Sequence, residues 1–519
     1  MRPDLVLVKD YVSSLSMPKG HSVPPSGAAS PPPRGKANRF RPCPSVVEWY
    51  SEDSAFLLSG RRWREHVRMR RERRPTGTME PRRHPVIVLI CFALVTNSIF
   101  AACPAHTGAP PEEAPHFDLQ HYATGDWFGL RNTLYDYGIE ITGGYTTEPA
   151  GNPVGGIEHG FTYLHNFGFG VLFDLQKIAG IPDTTFLVTI SQRSGRGLTQ
   201  DAIGNAISVQ QIFGGGQTYR LVQMRFDQKL FDDRLELSYG RLTTTADFLT
   251  SPFYCQFVNN GICGQPPAPF FNMPNGITAY PAAYWGAVAR VQTTKETYAK
   301  FGVYDGDPAS GDDRHGANFG FGDNGALVFT EVGYQSKEGL WGMPSHYSFG
   351  GYVHTGDFPD VAEDSNGQNL FLSGRRGREH SGQDGFYLLF EQMFFRNPNR
   401  PEAGLNGFVT FVVSPDETKS PIPYYLNGGL IYEGLIPCRP NDKTALGFYS
   451  AWFSGRQRSA QEAAGLPSQT NETDLEVNHQ IQITPYLYLR PNLQYVIKPN
   501  GLNRIANALV LGVETGITF

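Results

Sequence analysis

The sequence predicts an all-β fold, a transmembrane antiparallel β-barrel of about 16 strands around a polar lumen. Three observations predict it. Apolar and polar residues alternate with a period of two over about 400 residues. A secretory-signal pattern precedes that stretch. The chain ends ALVLGVETGITF, with Phe519 terminal on the apolar face. In that last segment Leu509, Leu511, Val513, Thr515 and Ile517 alternate with Val510, Gly512, Glu514, Gly516 and Thr518. Successive strand residues point to opposite sides, so the two faces of this strand meet different media.

Composition agrees. Charged residues make up 18% and aromatics 13%, with 58 Gly, 35 Phe and 25 Tyr against 8 Met. Aromatic side chains suit pleated, half-buried surfaces, and glycine marks turns and bulges. The mean hydropathy of -0.33 excludes a helical membrane protein, and beyond residue 100 no apolar run approaches the roughly 18 residues a spanning helix needs.

Residues 1–78 include PPSGAASPPPRGK and GRRWREHVRMRRERR, too polar and Pro-rich to bury a core, and read as a disordered basic extension or as sequence upstream of the real product. Nucleic-acid binding is the competing reading of the arginine run. Residues 79–105 begin MEPRRHPVIVLICFALV: a basic start, an apolar core from Pro85 to Phe100, then small residues. That is a signal peptide, with Met79 or Met69 as the start; a membrane anchor is the alternative. Residues 106–519 form the barrel domain. Removing 1–105 leaves 27 Lys+Arg against 41 Asp+Glu, a net charge near -14, which argues against nucleic acid as a partner.

Within 106–519, short alternating segments are broken by Gly, Pro, Asn and Asp. The clearest hairpin is RLVQMRFDQKLFDDRLELSYGRL. Val222, Met224 and Phe226 form one face, Gln223, Arg225 and Asp227 the other, and Phe231 to Arg234 form the turn. In the last hairpin Leu475, Val477, Ile481 and Ile483 alternate with Glu476, Asn478, Gln480 and Gln482, and TPYLYLRPN makes the return. A soluble β-sandwich also alternates. A closed barrel accommodates the signal peptide and the terminal Phe519 as well, and in lipid only closure pairs every backbone group of a sheet. Tyr and Phe in SYGRL, YLYL and AAYWG then belong to aromatic girdles.

The stretches GDWFGLRNTLYDYGIEITGGYTTEPAGNPVGG, FVNNGICGQP, FGVYDGDP, GLNGFVTFVVSPDE, GGLIYEGLIPCRPNDKTALGF and ITPYLYLRPNLQYVIKP, with the hairpin above, resemble the carbohydrate-selective porins of the OprB family. The likeness runs in order from about Gly125 to Phe519. It implies a 16-stranded barrel in the outer membrane of a Gram-negative bacterium, for passive uptake of glucose and related sugars. Where that family usually shows Gly after Leu-Ile-Pro, this chain has Cys438. The partners implied are monosaccharides such as glucose, outer-membrane lipids and the barrel-assembly machinery, with a homotrimer or a monomer both open.

A selective pore must replace the water shell of a neutral polyol with side-chain donors and acceptors, yet bind weakly. Arginine and carboxylate groups supply these, and an aromatic face stacks on the sugar. Arg225 and Glu236 have lumenal parity, and Arg193 and Arg196 lie where a strand meets a loop expected to fold inward or cap the mouth. Arg241 has lipid-facing parity unless a bulge at Gly240, or snorkelling, redirects it. Solvated rim charges are the bland reading of each arginine. Glu331 and Glu391, flanked by apolar residues, must face the lumen, as does Glu514.

Cys255 and Cys263, in the loop segment FYCQFVNNGICGQPP, are expected to form a short disulfide in an oxidising compartment. Cys438 is left unpaired by this arithmetic. No HExxH is present, FGGGQT lacks the lysine of a phosphate loop and GREHSG is isolated, so no enzyme activity, metal or cofactor is expected. The functional alternatives are a general or anion-selective porin, and a secreted β-rich carbohydrate-binding protein or glycosidase.

Overall fold

The computed structural model describes residues 119–519 except 275, 308–315, 318, 323 and 399. The basic extension (1–78) and signal peptide (79–105) lie outside the described residues. The strands are β1 (Ile139–Thr147), β2 (Ala150–Gly156), β3 (Phe161–Thr162), β4 (Leu164–Asp174), β5 (Thr184–Gly195), β6 (Tyr219–Leu230), β7 (Leu235–Leu242), β8 (Tyr284–Gln292) and β9 (Thr297–Asp305). They continue as β10 (Ala326–Ser336), β11 (Ser345–Asp364), β12 (Gly377–Asn397), β13 (Arg400–Val413), β14 (Tyr424–Glu433), β15 (Lys443–Trp452), β16 (Asn471–Thr484), β17 (Leu487–Ile497) and β18 (Ala506–Thr518).

Consecutive strands pair antiparallel from β4 to β18, and β1 joins β4 to β18. That ring contains 16 strands and has no free edge. The first wall strand is broken at Glu148–Pro149: β1 pairs the last residues of β18 and β2 continues alongside its upper part. Phe519 completes the seam. Its amide donates to Gly143 O (3.0 Å), the Gly143 amide donates back (2.8 Å), and its ring lies 5.8 Å from Phe167.

The burial pattern inverts that of a soluble sheet. On β16, Glu472, Asp474 and Glu476 are fully buried, whereas Leu475 and Val477, of the opposite parity, are 43% and 48% exposed. Carboxylates turned inward and aliphatics turned outward make sense only where the outer medium is lipid and the interior is polar. Phe173, Phe186, Phe226 and Tyr239 form a stacked outer row across four strands, with centroid spacings of 6.0, 4.3 and 5.3 Å, as an aromatic girdle requires. Tyr284 and Tyr488 do not join such a girdle. Tyr284 is fully buried and the Tyr488 hydroxyl donates to the lumenal Glu514 (2.6 Å).

The β6–β7 turn falls at Phe231 to Arg234, with Phe231, Asp232 and Asp233 all at positive φ. Val222 departs from simple parity. A register shift between β5 and β6 there turns it inward, fully buried. The last hairpin is tighter than the sequence indicates: only Pro485 and Tyr486 separate β16 from β17, and LYLRPN belongs to β17.

The barrel end carrying Phe519 has the short turns and the other end has the long loops, the arrangement of outer-membrane barrels with periplasmic termini. Two of the long loops, 196–218 and 243–283, fold into the lumen. They bring Phe248, Tyr254 and Phe257 against inward Phe329, Tyr352, Phe408, Tyr425 and Tyr449, so an apolar core forms inside the barrel.

Candidate functional site

The loop 243–283 is pinned to the far wall. The amides of Val258 (2.9 Å) and Asn259 (2.8 Å) donate to the Glu476 carboxylate. The Asn259 side chain donates to Asp474 and Gln494 (both 2.9 Å). Arg490 bridges Glu514 (2.9 Å) and Cys255 O (3.1 Å). Asn272 exchanges hydrogen bonds with the backbone of Ile422 (2.8 and 2.9 Å). Phe257 fits because Gly429 and Gly447 stand opposite: a Cβ on either would collide with its ring.

Cys255 and Cys263 are disulfide-bonded, with Cα atoms 4.4 Å apart, and tie off the tip of this loop. Cys438 lies in the turn between β14 and β15, at φ +70°.

The loop 196–218 uses the same device. Ala206 N (2.7 Å) and Ile207 N (3.1 Å) donate to Glu472, and Gln211 donates to Glu514 (2.7 Å). Carboxylates buried in a lumen wall need compensating donors. Here the main-chain amides of the two loops provide them.

Arg193 lies where the two loops meet. It is 3% exposed, donates through Nη1 to Gly214 O (3.1 Å) and stands 5.4 Å from the Tyr280 ring centroid. Its Nε and Nη2 are fully buried and make no hydrogen bond within the protein. Arg196, by contrast, leaves the lumen: its side chain is 79% exposed and pairs with Asp201 (2.7 Å).

Arg241 does turn inward. Gly240 has φ +127°, and Arg241 is 3% exposed and donates to Ala283 O (2.9 Å). Arg193, Arg220 and Arg241 stand on the adjacent strands β5, β6 and β7, and Arg220 is within electrostatic reach of the other two.

Arg225 and Glu236 are not brought together. Their strand partners are Gly240 and Lys229 respectively, and Arg225 is engaged by Asp227, Asp247 and Ser238 (all 2.7 Å). Glu331 faces inward and is saturated by Lys300 (2.9 Å), Tyr298 (3.0 Å) and Tyr387 (2.8 Å). Glu391 faces inward beside His346 Nδ1 (2.6 Å), and His346 Nε2 reaches the Tyr298 hydroxyl (2.8 Å). Lumenal solvent touches this wall: the side chains of Arg225, Asp227, Lys300 and His346 are 14%, 25%, 13% and 19% exposed.

Sequence reasoning missed Glu472, Asp474 and Arg490, along with Arg220, Asp247 and Lys300. The acidic pair and Glu476 carry a visible signal, three carboxylates at alternate positions in NETDLEVNHQ. Their loop partners, more than two hundred residues away, carry none.

The arrangement is a wall-anchored constriction with hydrogen-bonding side chains, and among the described residues no group of acids, histidines and cysteines could hold a metal. Comparison with known proteins agrees. The model of the OprB family, carbohydrate-selective porins, matches residues 158–519. Porin B of Pseudomonas aeruginosa is 30% identical over 76% of this chain and 90% of its own length. A protein named putative porin QuiX, from Acinetobacter baylyi, is 27% identical over 77% of this chain and 93% of its own. The high-pH structure of Pseudomonas putida OprB superposes with a TM-score of 0.72 at 30% identity, covering 77% of this chain and 99% of that one. A closed 16-strand barrel whose sequence matches this family along most of its length is an outer-membrane channel, and the chain belongs to the OprB family of carbohydrate-selective porins.

Proposed function

We propose that this porin passes glucose-type monosaccharides by passive diffusion, without catalysis, cofactor or energy coupling, after export and removal of residues 1–105. The lumen wall that meets the inward loop at Asp247 carries the reading. Arg225, Asp227, Lys300 and His346 stay in touch with lumenal solvent there. Charged donors and acceptors held in fixed geometry match a polyol, whose hydroxyls offer both lone pairs and protons. Such contacts are individually weak, so the solute enters and leaves. Glu331, whose oxygens are spent on Lys300, Tyr298 and Tyr387, and Glu391 beside His346 charge the wall around that contact.

Solute uptake into liposomes carrying the exported chain tests this, comparing glucose with a similarly sized amino acid and a small anion. Glucose enters faster in the wild type, and Arg225→Gln weakens the preference while bulk conductance persists. Arg196→Gln changes neither. Entry ranked by size alone would make the protein a general porin, and preferential anion entry would make the arginines an anion filter.

A further inference from the structure

On the outer face of the barrel, between β12 and β16, the lipid-facing surface is indented by a cavity of about 370 Å³. Its floor is backbone: Gly407, Gly429 and Gly447 lie on the adjacent strands β13, β14 and β15. Phe390, Phe394, Leu430, Leu446 and Phe448 form the rim, and no charged residue lines it. Gly407 is required for the depth, because a Cβ there would come within 2.7 Å of the Phe394 ring and 2.9 Å of Leu430. Gln392, the polar side chain at the edge, is spent on Ser345, Tyr347 and Met393 (2.8, 2.6 and 2.8 Å) and offers little to a headgroup.

We infer that this hollow is a binding site for one acyl chain of a phospholipid in the periplasmic leaflet. The leaflet follows from its height on the wall. Leu430 lies three residues before the end of β14 and Leu446 three after the start of β15, about 10 Å of strand from the short-turn end. The size fits a chain and not a protein. Taking each methylene as roughly the ~30 Å³ share of a water, the volume holds about a dozen. Twelve residues line it, whereas a stable protein interface engages roughly 20–30 a side. The hollow also continues the apolar band that already faces lipid, and Phe257 presses on the inner side of Gly429 and Gly447. The acyl chain and the tip of the constriction loop therefore share one glycine-thin wall.

Native mass spectrometry of the exported chain in mild detergent, supplied with dipalmitoyl phosphatidylethanolamine, tests the site. The wild type retains one phospholipid per barrel under activation that strips the rest. Gly407→Leu, which fills the hollow, loses it. Leu446→Gln, at a rim position 52% exposed, loses it too. Equal retention by all three chains, or none by the wild type, would overturn the proposal. So would a covalent dimer of Leu446→Cys on oxidation in native membranes, since a second copy of the chain would then occupy this face.

Discussion

Glu476 on β16 holds the amides of Val258 and Asn259 at 2.9 and 2.8 Å, across the lumen and 218 and 217 residues away in sequence. This contact sets where the constriction loop stops. Charge-assisted hydrogen bonds are each worth about 1.5–3 kcal/mol, and the Glu476 side chain is fully buried. Glu476→Ala is expected to free the loop tip while leaving the ring of strands closed. Single-channel recording should show a larger, noisier conductance and loss of glucose preference. An unchanged conductance would mean that the remaining contacts suffice to hold the loop.

The Cys255–Cys263 bond closes a loop of eight residues' separation, for which the chain-entropy contribution is about 3 kcal/mol or less. The barrel seam does not depend on it. Reduction, or the double serine variant, should therefore raise conductance and weaken sugar discrimination with little change in the melting of β-structure by circular dichroism. A collapse of the melting temperature would show that the loop folds first and templates the barrel.

Lys300 and Glu331 form an ion pair whose side chains are 13% and 3% exposed. Removing one member of such a buried pair typically costs 3–5 kcal/mol, because the other is left charged and uncompensated. Lys300→Met should lower stability by about that amount in urea titration, and adding Glu331→Gln should recover a large part of it. Additive losses would show that the two groups act independently.

Asp442, in the short turn between β14 and β15, gives an acid-dependent prediction. Burial by itself would raise its pKa. Hydrogen bonds from His479, Arg439 and the Gln482 amide outweigh burial, and its carboxyl titrates below the ordinary 3.8. The stabilisation is thus complete above about pH 3.8, the unfolded value, and disappears as pH falls through the lower folded value. Exchange of the Gln482 amide, which donates to Asp442 (3.0 Å), should accelerate over that acid window, and Asp442→Asn should flatten the dependence. Exchange that accelerates equally in the variant would assign the effect elsewhere.

The barrel was readable in the sequence because lipid on one side and water on the other impose a period of two that no local accident erases. The direction of Glu331, Glu391 and Glu514 followed from that period alone. Parity failed where the backbone departs from a regular strand: a register shift turns Val222 inward, and Gly240 at φ +127° redirects Arg241. It also could not separate Arg193 from Arg196. They lie three residues apart, yet one is packed between two loops and the other, just past the end of β5, is solvated. The spending of donors was invisible too. Arg225 looks like a free lumenal cation in the sequence, and only the fold shows Asp247 of the inward loop taking it.

Glu472 and Glu476 grip the two inward loops through main-chain N–H groups, at Ala206, Ile207, Val258 and Asn259. Every residue type except proline supplies that group. The attachment is therefore indifferent to what side chains the loops display at those positions, so a lineage can rewrite the chemistry of the eyelet by ordinary substitution without loosening its moorings. Preference for one solute over another can drift quickly on such a scaffold while the gauge of the opening stays fixed.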